Sequence, residues 1–316
     1  MEIRKTPIDY IGKVGKNDLY IKRDDLIPFS FGGNKVRIAK ELLEDMKTQK
    51  CDIMIGYGNS RSNLSRAIAN MTASEGIECH IVSSLGTDDE RVTTANSHMV
   101  SLCNATFHFC ENRNVAETVE RVLEQCKEKG KKPYYIYGNK YGEGNEAVPV
   151  GAYRKAYKEI EEEGQFDYIF LATGTGMTQS GLIVGKNEMQ GKEKIIGISI
   201  ARESENEKKI IKKMIDVYCE KNAIEKITDE INVIDDYVME GYGKHNQNVL
   251  EIIREMFVKK GIPLDMTYTG KAYYGMIEYI KKHQLENKKI LFLHTGGTPL
   301  FFDVLGKFQL SENECF

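Results

Sequence analysis

The chain has 316 residues, of which 41 % are hydrophobic and 29 % charged, with a formal net charge of −3. This length allows two modest domains, or one large domain carrying an insertion, and the composition is that of an ordinary well-packed protein. The charge balance offers no general attraction to nucleic acid or an anionic membrane, no run of about 18 apolar residues could span a bilayer, and the first 22 residues lack a signal peptide's apolar core, so a cytoplasmic location is expected.

In chain order, short β-branched runs alternate with amphipathic, charged segments. Strands are expected at residues 52–57, 78–83, 105–109 and 134–137, with helices at 63–75, 89–103 and 115–129. A helix near 147–162 leads to a strand at 168–172, a helix from Thr178, a strand at 195–200 and a helix at 207–221. Strands at 231–234 and 290–293 flank two further helices. Alternation with helices of this length implies crossover connections, so the expected class is α/β, with two open, mainly parallel twisted sheets flanked by helices. With six prolines and no low-complexity tract, a boundary must fall in a short Gly/Asn/Lys loop, and Gly142-Glu143-Gly144-Asn145 is the best break. The expected division gives a larger domain from 1–40 and 146–316, with 41–145 as a smaller inserted domain.

The cysteines at 51, 79, 103, 110, 126, 219 and 315 are scattered, with no Cys-x-x-Cys pair, which fits reduced thiols and no structural metal site. Among the six histidines none stands at ligand spacing from another. His98 and His108 could approach in space, but they read as ordinary histidines and no metal is expected.

Four segments sit where an open α/β sheet gathers its ligands, at the carboxyl ends of strands. Thr173-Gly174-Thr175-Gly176-Met177-Thr178 joins an apolar strand to a helix start. Its glycines allow close backbone approach and its threonines add hydroxyls, as a phosphate cradle requires. It is neither a Walker loop nor a dinucleotide fingerprint, so phosphate binding competes only with a plain tight turn. In Phe31-Gly32-Gly33-Asn34-Lys35, two glycines bring Lys35 in at a helix start, although a lysine taken alone reads as a surface charge. Arg61-Ser62-Asn63 lies at a strand-to-helix junction, where Ser and Asn serve as helix caps or as donors to a substrate carboxylate. His294-Thr295-Gly296-Gly297-Thr298-Pro299 closes an apolar strand, with His294 reading as a hydrogen-bonded core histidine.

Together, and in this order, these segments resemble the family containing D-cysteine desulfhydrase and 1-aminocyclopropane-1-carboxylate deaminase, pyridoxal-phosphate enzymes of the tryptophan-synthase β type. The similarity covers most of the chain and begins at Ile21-Lys22-Arg23-Asp24-Asp25-Leu26. It implies pyridoxal 5'-phosphate as cofactor, with Lys35 as the Schiff-base lysine and Thr173, Gly174, Thr175, Gly176, Met177 and Thr178 as the phosphate cup. It further implies Asn63 at the cofactor's phenolic oxygen, Ser62 at the substrate carboxylate, and Tyr242 and Tyr268 as the active-site tyrosines. In Tyr268-Thr269-Gly270-Lys271-Ala272 and at Thr295, deaminases of the family look like Glu and Leu, whereas the threonines here look like those of desulfhydrases. Glutamate beside the pyridine nitrogen favours protonation and a stronger electron sink. Threonine leaves a weaker one, suited to losing a good β leaving group.

The expected reaction is therefore α,β-elimination on a small amino acid, giving a keto acid and ammonia. The alternatives are β-replacement, cyclopropane ring opening, or a non-catalytic binding scaffold. A homodimer is implied by the family. Departures from the pattern are Arg61 for the usual Gln, Val36 for Thr, Lys244-His245 after Tyr242-Gly243, and the stretch Tyr137 to Asn145. Arg61 suggests a substrate with a second anion, since guanidinium favours bidentate contact with oxyanions, or else a surface salt bridge.

Overall fold

The β-branched and aromatic runs form strands in the computed structural model, which describes residues 2–85 and 92–308. Two strands that the alternating pattern does not announce open the chain. These are β1 (Ile8–Val14) and β2 (Asn17–Arg23), an antiparallel pair turning at Gly15, whose φ of 60° suits glycine. Helix α1 (Asn34–Thr48) then leads to β3 (Ile53–Tyr57), α2 (Asn63–Ser74), β4 (Glu78–Ser84), α3 (Ala95–Leu102), β5 (Thr106–Cys110), α4 (Val115–Glu128) and β6 (Pro133–Tyr135). After α5 (Val150–Glu161) come β7 (Tyr168–Thr173), α6 (Met177–Met189), β8 (Lys194–Ser199), α7 (Ser204–Lys221) and β9 (Asn232–Ile234). Helices α8 (Gln247–Lys260) and α9 (Thr269–Lys282), strand β10 (Lys289–His294) and helix α10 (Thr298–Val304) follow. Of the helix expected at 89–103, residues 89–91 lie outside the described residues, as does Cys315. The helix begins at Ala95, because Thr94 and Ser97 form a reciprocal capping box there.

The strands make two sheets, one of order β5-β4-β3-β6 and one of order β1-β2-β10-β7-β8-β9. Every pairing except β1–β2 is parallel. Parallel strands buried on both faces read as continuous apolar runs, and β7 and β10 show why. Ile169, Leu171, Leu291 and Leu293 face a core that continues into the smaller sheet, while Phe170, Ala172, Ile290 and Phe292 face a second core beneath α8 and α9. Helix α1 runs across residue 41 and packs on both α2 and α5, so it ties the helical layers together.

A buried charge cluster explains the run Lys22-Arg23-Asp24-Asp25. Arg37 of α1 donates to both oxygens of Asp24 at 3.1 Å and to those of Glu159 at 2.6 and 2.8 Å, while Lys22 Nζ donates to Glu159 at 2.7 Å. Thr6 and Tyr153 hydroxyls also donate to Asp24. Burial alone would raise the Asp24 carboxyl, but Arg37 and Lys22 outweigh it and hold the group below its ordinary range. These charges do not reach the site. They fix the chain on either side of the glycine turn that carries Lys35.

Candidate active site

The carboxyl ends of β3, β4, β7, β8 and β10 converge on a cavity of about 270 Å³ between the two sheets. Lys35, Ser62, Asn63, the whole loop from Thr173 to Thr178, Tyr242, Tyr268 and Thr295 line it. Residues distant in sequence are thus brought together as expected, with two exceptions described below.

Lys35 reaches the cavity because the turn before α1 admits only glycine. Gly32 and Gly33 have φ of 65° and 96°, and a Cβ on Gly33 would lie 2.8 Å from the Thr295 carbonyl oxygen. Gly33 N–H donates to the Asp24 carbonyl at 2.7 Å and Asn34 N–H to that of Thr295 at 3.0 Å, clamping the turn between β2 and β10. Asn34 Nδ2 donates to Thr178 Oγ1 at 2.8 Å, linking the lysine turn to the loop after β7. Burial lowers the Lys35 amine to about 8, against a weaker opposing pull from Glu207. A lysine placed here is a far better nucleophile and base than one on the surface.

The loop from Thr173 to Thr178 passes through Gly176 (φ 74°), where a Cβ would meet Ile211 at 2.8 Å, and opens α6 at the cavity, so the first N–H groups of that helix, which have no partner within it, lie at the cavity lining. This fits a phosphate. The Thr173 hydroxyl is committed, donating to buried Glu207 at 3.2 Å, and Arg202 at the cavity rim pairs with the same carboxylate at 3.0 Å. Burial raises the Glu207 carboxyl, with Arg202 and Thr173 opposing.

Ser62 is both a cap and a cavity residue. Its Oγ accepts from Ser65 N–H at 3.1 Å, which starts α2, and its own hydroxyl hydrogen remains available. Asn63 Oδ1 accepts from Asn96 Nδ2 at 2.9 Å, which fixes the Asn63 amide. The Tyr242 and Tyr268 hydroxyls hydrogen-bond to each other with their rings edge to face at 5.8 Å. Burial pushes Tyr242 up to about 12 and Tyr268 well above the usual phenol range, so both stay protonated at neutral pH.

Two expected residues do not line this cavity. Thr269 is fully buried, its Oγ1 donating to Asp265 Oδ2 at 2.8 Å and accepting from Asp265 N–H at 2.9 Å. Arg61 lines a neighbouring chamber instead. Of the divergent stretch after β6, Tyr137 borders the cavity, whereas Asn139 to Asn145 fold into a turn closed by a Gly138–Gly144 bridge. His294 is the hydrogen-bonded core histidine expected, Nε2 meeting the Pro263 carbonyl at 2.8 Å. His108 approaches His80 rather than His98, Nε2 to Nδ1 at 2.8 Å, and among the described residues no cluster could hold a metal ion.

Residue spacing did not single out Asn34, Asn96, Glu207 or Asp265. The last receives N–H bonds from Thr267, Tyr268 and Thr269 at 2.8, 2.7 and 3.2 Å, so it caps α9 and sets where Tyr268 stands. An acidic residue a few positions ahead of a helix is the available signal for it.

A helix-start phosphate cradle facing a desolvated lysine, between two mainly parallel sheets, defines a site for a phosphorylated aldehyde cofactor. The chain belongs to the family described as "Pyridoxal-phosphate dependent enzyme", whose model matches residues 1–296. It is 33 % identical over 305 residues to a Pyrococcus furiosus protein named "Putative 1-aminocyclopropane-1-carboxylate deaminase", covering 93 % of this chain and 89 % of that one. It is 29 % identical to the D-cysteine desulfhydrase of Serratia proteamaculans, again over 93 % of this chain and 89 % of the relative. A solved structure described as an ACC deaminase homologue superposes with a TM-score of 0.85 at 29 % identity, covering 96 % of this chain and 93 % of that chain. The cofactor is pyridoxal phosphate.

Proposed function

We propose that the protein is a pyridoxal-phosphate-dependent lyase that eliminates a β substituent from a small amino acid, giving a keto acid and ammonia. One observation carries this reading: no Asp or Glu is among the described residues lining the cavity. Thr269 stands where the family's deaminases have glutamate and its desulfhydrases threonine, and its hydroxyl is held by Asp265 outside the cavity lining. With no carboxylate among the described residues lining the cavity, the cofactor ring would be a weaker electron sink, which suits departure of a good leaving group better than cleavage of a cyclopropane.

Lys35, Asn63 and the loop from Thr173 to Thr178 would hold the cofactor, which supplies the electron sink for charge developing at the substrate Cα. Lys35 Nζ, uncharged once its proton is lost near pH 8, takes the Cα proton. Ser62 offers its hydroxyl hydrogen to the substrate carboxylate. The Tyr242–Tyr268 pair, protonated at neutral pH, donates a proton to the departing group. The reading extends to a homodimer in the cytoplasm. Support comes from the family resemblance, six free cysteines among the described residues, and no described helix long and apolar enough to cross a membrane.

Keto-acid release from D-cysteine, β-chloroalanine and 1-aminocyclopropane-1-carboxylate tests this. Release from the first two and none from the third is expected. Release from the cyclopropane alone would make ring opening the activity, and suppression by added thiol would make it β-replacement.

A further inference from the structure

The Thr173 hydroxyl carries a single hydrogen, and that hydrogen is directed at Glu207, 3.2 Å away. Thr173 opens the loop that the site offers to a phosphate, so a carboxylate already claims one of the loop's donors. Glu207 stands in the first turn of α7, fully buried and outside the cavity lining. It lies directly behind the loop, since a Cβ on Gly176 would come 3.6 Å from Glu207 Oε1. A buried acid therefore backs a cradle for anions.

The groups facing this carboxyl come from several elements. Arg202, in the connection from β8 to α7, donates through Nη1 to Glu207 Oε2 at 3.0 Å. Ser199 pins that connection, its Oγ accepting from Arg202 N–H at 3.1 Å and donating to the Arg202 carbonyl at 2.6 Å. Lys35 of α1 is near enough that each group feels the other's charge. Strand β7 contributes Thr173, α6 contributes its start at Gly176, and Ile211 of α7 adds apolar surface against that glycine. The Arg202 side chain is 41 % exposed, so water screens its half of the pair, whereas Glu207 is sealed. Burial pushes the carboxyl up, with Arg202, Thr173 and Lys35 opposing.

An arriving phosphate sets these groups in conflict. If Thr173 turns its hydrogen to the phosphate, its Oγ and Glu207 Oε1 face each other as two buried acceptors, with a second anion just across the loop. Buried acceptors without a donor are unfavourable, and a like charge favours the neutral form of a carboxyl. One proton relieves both. We propose that Glu207 takes up a proton when the cofactor's phosphate enters the loop, donating it to Thr173 Oγ while Thr173 donates to the phosphate. This rests on the reading of Thr173 to Thr178 as the phosphate cup. The step balances: one proton passes from solvent to Glu207 Oε1, and no other covalent bond changes. Glu207 is then a positioning residue acting through Thr173, and cofactor affinity falls as pH rises. The coupling acts on affinity, so a saturated site still captures the cofactor aldehyde at a rate set by Lys35. The competing role is a plain clamp, with Glu207 ionised throughout between Arg202 and Thr173.

The test titrates pyridoxine 5'-phosphate, which has no aldehyde to react with Lys35, into apo-protein by calorimetry in buffers of different ionisation enthalpy. Pyridoxine serves as the phosphate-free control. At about pH 7.5 the ester is almost wholly dianionic, its second ionisation lying near 6. Wild type should take up more protons on binding the ester than Glu207→Gln does, by about half a proton or more, because the Gln amide can donate to Thr173 Oγ unaided. Any contribution from Lys35 is common to both proteins. The ratio of wild-type to Glu207→Gln Kd should rise by about two- to tenfold per pH unit between roughly pH 6.5 and 8.5. A carboxylic-acid band appearing in the infrared difference spectrum when wild type binds the ester gives a readout that needs no variant, should Glu207→Gln fold poorly. A smaller proton difference with a flat Kd ratio, or no such band, leaves Glu207 a clamp and overturns the proposal, while tighter binding of the ester than of pyridoxine keeps the cup. If the ester binds no more tightly than pyridoxine, the cup fails and this inference with it.

Discussion

The Lys35 amine is tuned by what surrounds it, since burial takes it to about 8 while Glu207 pulls weakly the other way. Only an uncharged amine attacks an aldehyde. Mixing apo-protein with pyridoxal phosphate should therefore give a capture rate that rises about tenfold per pH unit below 8 and flattens above it, followed by the visible absorbance. Lys35→Ala should remove both the absorbance and the activity. The tyrosine pair makes a second expectation at this scale. Either Tyr242→Phe or Tyr268→Phe breaks the hydroxyl–hydroxyl bond, so each should lower kcat by about 100-fold or more with a smaller change in KM, measured by keto-acid release. Neither effect was legible from one residue. Lys35 is one of 44 Lys and Arg residues, and only its place in an ordered set of motifs separated it from a surface charge.

Elements bring these residues together through caps and turns that sequence shows unevenly. The glycine turn before α1 and the loop before α6 were readable, because positive φ and a helix start leave a compositional trace. The capping of α9 by Asp265 was harder to read, because an acidic residue a few positions ahead of a helix is a weak signal and most of its partners are backbone N–H groups. Asp265→Ala leaves those donors unsatisfied and should cost roughly 2–4 kcal/mol in denaturant unfolding, with activity falling further as Tyr268 loses its position. Arg66 of α2 makes a contrasting case. It is fully buried, lowered to about 10 by that burial, and its Nε and Nη1 find no partner among the described atoms. Replacing such a cation by an apolar side chain of similar length relieves desolvation. Arg66→Met should hold or raise the unfolding midpoint, yet lower activity, because the Gly32 carbonyl loses its tether to α2.

At the scale of the molecule, the alternation of strand and helix yielded the two parallel sheets, because buried parallel strands are written as unbroken apolar runs. The antiparallel β1–β2 pair escaped this reading: β1 is mostly half-buried and interrupted by Gly12, where the register shifts. Its partner β2 carries Lys22 into the charge cluster that binds β2, α1 and α5 together. That cluster makes a pH-dependent prediction for the whole fold. The Asp24 carboxyl is lower in the folded chain than its ordinary 3.8, so the folded state binds its proton less readily than the unfolded state does. The sign follows: the stabilisation is fully present above 3.8 and is lost as pH falls through the lower folded value. Asp24→Asn removes the charge but keeps the shape, leaving Arg37 with Glu159 alone. Breaking one member of a buried ion cluster should cost about 3–5 kcal/mol at neutral pH, and the penalty should shrink below pH 3.8 as wild type loses the same interaction. Urea unfolding of both proteins between pH 3 and 7 measures this. Parallel stability curves over the whole range would show that Asp24 does not carry the acid sensitivity of the fold.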